Sequence, residues 1–307
     1  MQEKTNNHKV SVIIPTYGRP DFLYDAVKSV IEQTYKNIEI IIIDDNNDST
    51  YHNLTFNVVK KLETLSPLTC IKYFFDGINR GGSLARNKGI EISTGEFITF
   101  LDDDDIYLPD KIKNQVSHII KNKLDVSVCD MQFKRKNKFL NISNCYARVD
   151  SFNTFIISGN AYTPMIMCSR QAIMDIEGFT DTPRYQDHIL MLKFFEQRKK
   201  IGHLKEKLFI HNDHNLARIT FSKKSELAHD IRVSYEKRNL FRLNEKDNKK
   251  YSFYNYLIEA KLSRAKGNYI KSIKLIFNSF YKITTPKDIY NILKVIIRIH
   301  LYPKKGI

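Results

Sequence analysis

Four consecutive carboxylates, Asp102 to Asp105, follow the apolar run Phe97-Ile98-Thr99-Phe100-Leu101. Like charges set that close repel one another, and folding gains nothing from the crowding. Clusters of oxygen donors select hard divalent cations, and Mg2+ or Mn2+ commonly bridges carboxylates to substrate phosphates. The string therefore predicts a cation at the end of a strand, facing a diphosphate and neutralising the acids. Helix capping, the plainer use of such acids, asks for fewer, and Asp110 already stands where it favours the dipole of a following helix. Two further polar strings leave aliphatic runs in the same manner: Thr16-Tyr17-Gly18-Arg19 and Asp44-Asp45-Asn46-Asn47-Asp48.

The elements that must position these strings alternate. Residues 10–14, 39–43, 70–75, 96–101 and 125–133 read as strands from their aliphatic and β-branched runs. Residues 21–33, 51–65, 83–92 and a segment from about Pro109 carry helical spacing. Such β-α-β-α order implies a largely parallel sheet with helices on both faces, and ligands of such sheets sit beyond the carboxyl ends of the strands. All three polar strings should open onto that one side. From about 134 to 186 the alternation fades. A helix over residues 187–198 and a strand over 207–211 follow, and beyond 222 the pattern is helical, with a break near Thr284-Thr285-Pro286.

Charge is unevenly spread. The formal net charge is +15, and from Arg218 onward 21 Lys/Arg stand against 7 Asp/Glu. So basic a C-terminal third points to an anionic partner. No base-stacking or groove-entering motif accompanies it, which argues against nucleic acid. The cysteines, Cys70, Cys129, Cys145 and Cys168, show no metal spacing, and three lie in apolar runs as small hydrophobes. The N-terminal MQEKTNNHK lacks the apolar core of a signal peptide, and no apolar run approaches the roughly 18–20 residues of a spanning helix. The expected location is the cytoplasm, peripheral on a membrane.

Seven strings taken together resemble family 2 glycosyltransferases. They are Val12-Ile13-Ile14-Pro15-Thr16-Tyr17-x-Arg19, Gln33-Thr34-Tyr35, Ile42-Ile43-Asp44-Asp45, Asn79-Arg80-Gly81-Gly82, Ala85-Arg86-Asn87-x-Gly89-Ile90, Thr94-Gly95-Glu96 and Phe100-Leu101-Asp102-x-Asp104-Asp105. The resemblance runs in order through residues 10–110 and more thinly to about 220. It implies the GT-A fold: a Rossmann-like, mostly parallel sheet flanked by helices, here with a basic helical C-terminal extension. The implied division is a catalytic domain over 1–220, with a nucleotide-sugar half at about 8–133 and an acceptor half at about 134–220, then a helical region over 221–307.

The resemblance also assigns roles. Pro15, Thr16 and Tyr17 would lie along the nucleotide base, with Arg19 beside them, and Asp45, with Asp44, would accept from the uracil N–H. Asn79, Gly81 and Arg86 would contact the nucleotide or its phosphates, Asp102 and Asp103 the ribose or donor sugar, and Asp104 the metal, Mn2+ or Mg2+. Inverting transfer needs a carboxylate base, which the resembling enzymes place in a Glu-Asp string at a helix start. Here Tyr185-Gln186-Asp187-His188 stands there, with Gln186 in place of the usual Glu, so Asp187 is the expected base and Asp181 the alternative. His214 would complete the metal shell and Arg218 would pair with a phosphate. The chain has no Trp, which rules out the Gln-x-x-Arg-Trp string of processive synthases.

The implied reaction moves a single hexose or N-acetylhexosamine from a UDP-sugar to a glycan acceptor, lipid-linked or of lipopolysaccharide type. The C-terminal segment adds a partner. Its apolar residues recur at 289, 292, 293, 296 and 299 or 300, one helical face, with Lys294 and Arg298 elsewhere, as in helices that lie on anionic membranes. Packing of that face on the catalytic domain is the alternative. Two other functions fit part of the chain: an aspartyl-nucleophile (HAD-like) phosphatase using Asp102 and Asp104, and a non-catalytic sugar-nucleotide-binding protein. The phosphatase motif ends the first strand of its sheet, whereas this one ends the fourth and leaves Asp44-Asp45 idle.

Overall fold

The structure is a computed structural model and describes residues 8–213 and 223–300. The chain divides into two compact units, Met1–Asp150 with Gly159–His214, and Ser151–Ser158 with Asn215–Ile307.

The first unit opens with β1 (Val10–Thr16), α1 (Pro20–Ile31), β2 (Ile38–Asp44), α2 (Ser49–Leu65), β3 (Cys70–Phe75), α3 (Gly82–Ile92) and β4 (Phe97–Phe100). These four strands pair in parallel in the order β3-β2-β1-β4. Val10, Val12, Ile13 and Ile14 of β1, and Ile40, Ile41 and Ile42 of β2, are wholly buried. That burial on both faces is why their sequence reads as unbroken aliphatics.

A short β5 (Ile106–Tyr107) and α4 (Lys111–Asn122) come next, then β6 (Val126–Arg135) and β7 (Lys138–Leu140). α5 (Phe152–Ser158) belongs to the second unit, after which the first resumes with β8 (Ile166–Ser169), α6 (Arg170–Asp175), α7 (Gln186–Glu196) and β9 (Ile201–Asp213). The sheet continues past β4 as β8-β6-β9-β5, with β7 paired to β6. β8 runs antiparallel to both β4 and β6, β6 and β9 run parallel, and β5 is antiparallel to β9. The parallel half thus meets a mixed half at β4, the strand that delivers the carboxylate string. β9 begins six residues before the strand expected over 207–211, because it pairs with β6 from Ile201 onward.

Several of the sequence strings build this scaffold. Gln33 is fully buried, accepts from Ile112 N (3.1 Å) and donates to Leu108 O (2.7 Å), fastening the end of α1 to the start of α4. Gly89 lets α3 press on β1, since a Cβ there would lie 2.4 Å from Ile13 Cγ2. Asn87 makes two 2.8 Å bonds to the backbone of Phe179, accepting from its N–H and donating to its C=O. These tie α3 to the segment that leads into α7. Glu39, wholly buried, accepts from Ser11 Oγ (2.6 Å) and Thr94 N (2.6 Å), with Lys9 and Lys72 each 2.9 Å away.

The second unit comprises α5 with α8 (Lys223–Lys237), α9 (Glu245–Ala265), α10 (Tyr269–Phe280) and α11 (Pro286–His300). Its core joins Phe253, Leu257 and Ala260 of α9 to Leu275 and Ile276 of α10 and Ile292 and Val295 of α11. The break expected near Thr284 is present, and Asp288 caps the following helix by accepting from Thr284 N (2.9 Å) and Thr285 N (2.8 Å). Of the apolar side read for α11, Ile292 is buried in this core beside Val295, whereas Ile289 and Leu293 are exposed, so packing covers only one edge of it.

Candidate active site

The three polar strings meet at the carboxyl ends of β1, β2 and β4. Parallel pairing sets Thr16 opposite Asp44 and Ile13 opposite Phe100. The loops then bond one another: Asp45 N donates to Thr16 O (2.9 Å), Gly18 N to Asn46 Oδ1 (2.7 Å) and Thr16 Oγ1 to Asp103 Oδ2 (2.8 Å). The convergence inferred from strand order is therefore a bonded assembly.

The carboxylate string is a turn closed by Asp105 N donating to Asp102 O (3.0 Å). Its side chains alternate, Asp103 and Asp105 buried and Asp102 and Asp104 partly exposed. Each acid has a protein partner. Arg86 pairs with Asp102, and Arg19 lies 2.7 Å from Asp103 and 2.5 Å from Asp104. Asp105 accepts from Asn212 N (2.9 Å) and stands 3.1 Å from His211 Nδ1. The crowding for which the sequence suggested a cation is already shared by protein groups: two guanidiniums, a histidine and backbone donors. Burial pushes Asp103 up to about 7, against the pull of Arg19 and the Thr16 bond. Arg19 is the reverse case, lowered by burial but raised overall by Asp103, Asp104 and Asp102.

The donor set still suits a divalent cation. Asp102 and Asp104 offer hard oxygens on the exposed side of the turn, their side chains 31% and 19% exposed. Asp103 Oδ1 is buried and accepts no hydrogen bond although Arg19 is near. Among the described residues no group of three or more candidate metal ligands comes together. His214 and Arg218 lie outside the described residues.

The other candidates are placed as follows. Pro15 and Thr16 are the last two residues of β1, and Tyr17 is 53% exposed. With Gly18, Asn46, Asp48 and Tyr51, Tyr17 lines a pocket of about 350 Å3. Asp44 is buried, bonded to Asn46 N (3.0 Å), Tyr73 Oη and His52 Nδ1 (3.1 Å), so its carboxylate shapes the loop from beneath. Asp45 accepts from Arg80 N (2.7 Å) and Gly81 N (2.8 Å), while Asn79 Nδ2 donates to Asp45 O (2.9 Å). Gly81, at φ +79° with open space around its Cα, lets that loop turn before α3 begins. Burial raises Asp45, and the two backbone donors draw it back.

Arg86, buried on α3, links two elements: it donates to Gly82 O (2.9 Å) and Gln186 Oε1 (3.2 Å) as well as pairing with Asp102. Gln186 also accepts from Ser83 Oγ (3.0 Å), so the first residue of α7 is fixed to the first turn of α3. Asp187 follows, half-buried in the first turn of α7, its Oδ1 accepting from His188 N (2.7 Å). Desolvation raises its pKa, and the charges of His188, Asp102 and Arg86 reach it. Asp187 therefore shares a neighbourhood with the carboxylate turn 85 positions earlier in the chain. Asp181, the alternative base, is exposed.

Lys111, which the sequence did not single out, and His211, which opens the string that ends in His214 and Arg218, complete the support. Lys111 is buried, with its amine on Thr99 Oγ1 of β4 and 3.9 Å from the Tyr107 ring centroid, and burial lowers its pKa to about 7. His211 packs its ring 5.4 Å from Tyr162 and 5.5 Å from Phe133. A lysine opening a helix and a histidine ending a strand give no sign of burial in one dimension.

Residues 11–177 match the model of the family described as glycosyl transferase family 2. The chain belongs to that family. Membership removes the phosphatase reading of Asp102 and Asp104. Among curated relatives of this family 2 chain, the Escherichia coli UDP-Glc:alpha-D-GlcNAc-diphosphoundecaprenol beta-1,3-glucosyltransferase WfaP is 34% identical over 155 residues, 50% of this chain and 51% of that protein. The chain spans about half the length, or less, of the curated relatives it matches. Among solved structures, S. aureus TarS 1–349 in complex with UDP-GlcNAc has a TM-score of 0.59 at 16% identity, covering 95% of this chain and 92% of that one. The mannosyltransferase PcManGT from Pyrobaculum calidifontis, in complex with GDP-Man and Mn2+, has a TM-score of 0.62 at 13% identity, covering 97% and 83%. Likeness at such identity speaks for the fold alone, and that fold is GT-A.

Proposed function

We propose that this family 2 chain is an inverting, metal-dependent glycosyltransferase that moves one hexose or N-acetylhexosamine from a UDP-sugar to a hydroxyl of a lipid-linked or lipopolysaccharide-type saccharide. The observation that carries the reading is the bridge of Arg86 from Asp102, just past β4, to Gln186 (3.2 Å), the residue that precedes Asp187 at the start of α7. A base and a nucleotide-binding turn must stand within one sugar's reach of each other, and these two come from distant parts of the chain.

In this reading Pro15, Thr16 and Tyr17 lie along the base, which enters the pocket between Tyr17 and Tyr51. Asp45 faces the uracil, with its loop held by Asn79 and Gly81. Arg86 and Arg19 hold the carboxylate turn against the diphosphate, and Asp102 and Asp103 orient ribose and donor sugar. Asp104, with Asp102 beside it and His214 from the segment after β9, would hold Mn2+ or Mg2+, which when bound stabilises charge on the leaving UDP. Arg218 pairs with a phosphate. Asp187 takes the proton of the acceptor hydroxyl as its oxygen bonds to the anomeric carbon from the side opposite the departing phosphate oxygen. One bond forms, one breaks, and the proton rests on Asp187.

The name of the E. coli relative supports a UDP-hexose donor and a diphospholipid-linked acceptor. Such an acceptor sets the enzyme to work at the cytoplasmic face of a bacterial inner membrane, where the basic C-terminal helices meet anionic lipid. No described helix is long and apolar enough to cross a membrane. The test is a panel of UDP-sugars with Mn2+, followed by transfer to diphosphoundecaprenol-linked saccharide. Asp187→Asn should keep UDP affinity and lose about 10^2- to 10^4-fold in kcat. Undiminished transfer by that variant would dismiss Asp187 as the base, and a chain that binds UDP-sugars but never releases UDP would be a binding protein.

A further inference from the structure

Helix α10 carries more apolar surface than its packing covers. Its inner face, Ser272, Leu275, Ile276 and Ser279, is buried. Ser272 Oγ donates to Ala260 O (2.9 Å), which seats that face on α9. The opposite side carries Ile270, Ile273, Phe277 and, just past the helix, Tyr281, at spacings of three, four and four. Ile270 is 84% exposed and Phe277 58%. α11 repeats the arrangement, with Ile292 and Val295 inside and Ile289, Tyr290, Leu293 and Ile297 exposed. A helix buries its apolar surface by packing, and a broad stretch of it left in water signals a partner.

Charge identifies that partner. From Tyr269 to the end, 8 Lys/Arg stand against one acid, Asp288. That acid is buried and capping α11. Neither helix therefore shows an exposed carboxylate among the described residues, whereas Lys271, Lys274, Lys287 and Lys294 are all exposed. A second copy of the chain would bring like charge against like. An anionic bilayer answers both features, because lysine stems can lie along apolar surface with their ammonium groups at phosphate level.

We propose that the outward faces of α10 and α11 are a docking surface for anionic lipid, with the exposed isoleucines, Phe277 and Leu293 entering the acyl boundary and the four lysines engaging headgroup phosphates. The proposal rests on the lipid-linked acceptor argued above for its purpose, and it names the surface that meets the membrane. The experiment is co-sedimentation of the full chain with vesicles of phosphatidylcholine, with and without phosphatidylglycerol, beside UDP affinity measured on the same preparations. Binding should require phosphatidylglycerol and weaken as salt rises. Ile273→Ser/Phe277→Ser should lower the partition about tenfold or more. Lys271→Glu/Lys274→Glu should do so by about fivefold for each lysine. Circular dichroism of both variants confirms that the helices persist. Equal binding to both kinds of vesicle, or none to either, overturns the proposal. So does a dimer in light scattering that Phe277→Ser dissolves while vesicles are ignored. A wild-type chain that binds UDP but no vesicle strikes this surface alone, and one that binds vesicles but no UDP strikes the transferase reading.

Discussion

Asp187 shows how a residue acquires its chemistry from its surroundings. An aspartate in the first turn of a helix is ordinarily stabilised as the anion. Here desolvation outweighs that preference and raises the pKa, with the Asp102 charge adding to it and Arg86 and His188 opposing. A general base works only deprotonated, so activity should fall as pH drops through that raised value. The acid limb of kcat/KM should accordingly lie above the range of an exposed aspartate. Gln186 supplies a sharper check. Its neutral oxygen accepts from Arg86 and Ser83, whereas Gln186→Glu would add a second anion beside Asp187. Like charge raises a carboxylate's pKa, so the acid limb of that variant should move to still higher pH. A profile that stays in place would show that Asp187 is not the group titrating.

At the scale of elements, the short strings of the first hundred residues serve as fasteners as much as ligands. Gly89 is legible as a residue of a motif, but its reason is the 2.4 Å approach of a hypothetical Cβ to Ile13. Gly89→Ala should destabilise the chain by about 1–3 kcal/mol through overpacking between α3 and β1, read as a lowered Tm. Glu39 fastens β1, β2, β3 and the turn before β4 in one place. Burial raises its pKa, but the bonds from Ser11, Thr94, Lys9 and Lys72 prevail and leave it well below the ordinary glutamate range. A carboxylate depressed in the folded state contributes stability above its unfolded pKa of about 4.3 and loses it as pH falls toward the folded value. The Tm of the wild-type chain should therefore drop more steeply below about pH 4 than that of Glu39→Gln. That variant should already be weaker at neutral pH by about 1–3 kcal/mol.

At the scale of the whole molecule, the chain separates its charge. The sheet unit balances its acids with local partners, while the helical unit holds a Lys/Arg excess around a core centred on Phe253, Leu257 and Ile292. Phe253 is wholly buried there. Phe253→Ala should cost about 3–5 kcal/mol, seen as faster hydrogen exchange in α9, α10 and α11. The basic excess was countable from the sequence, yet its meaning depended on where the lone acid of the last two helices went. Folding turned Asp288 inward and left the lysines outside.

The sequence by itself determined the fold class, the family strings and the side of the sheet on which the polar loops open. Those features are local: aliphatic runs make buried strands, and strand order directs their carboxyl ends the same way. Tertiary structure alone decided which carboxylate meets which partner. Asp44 and Asp45 are neighbours, yet one is buried against Tyr73 and His52 while the other clasps the backbone of Arg80 and Gly81. The mixed half of the sheet was equally hidden, because β8 and β9 take their register from β6 rather than from their own composition. The exposed apolar stretches of α10 and α11 emerged only on packing, since periodicity marks which residues are apolar and a neighbouring helix fixes which of them are covered.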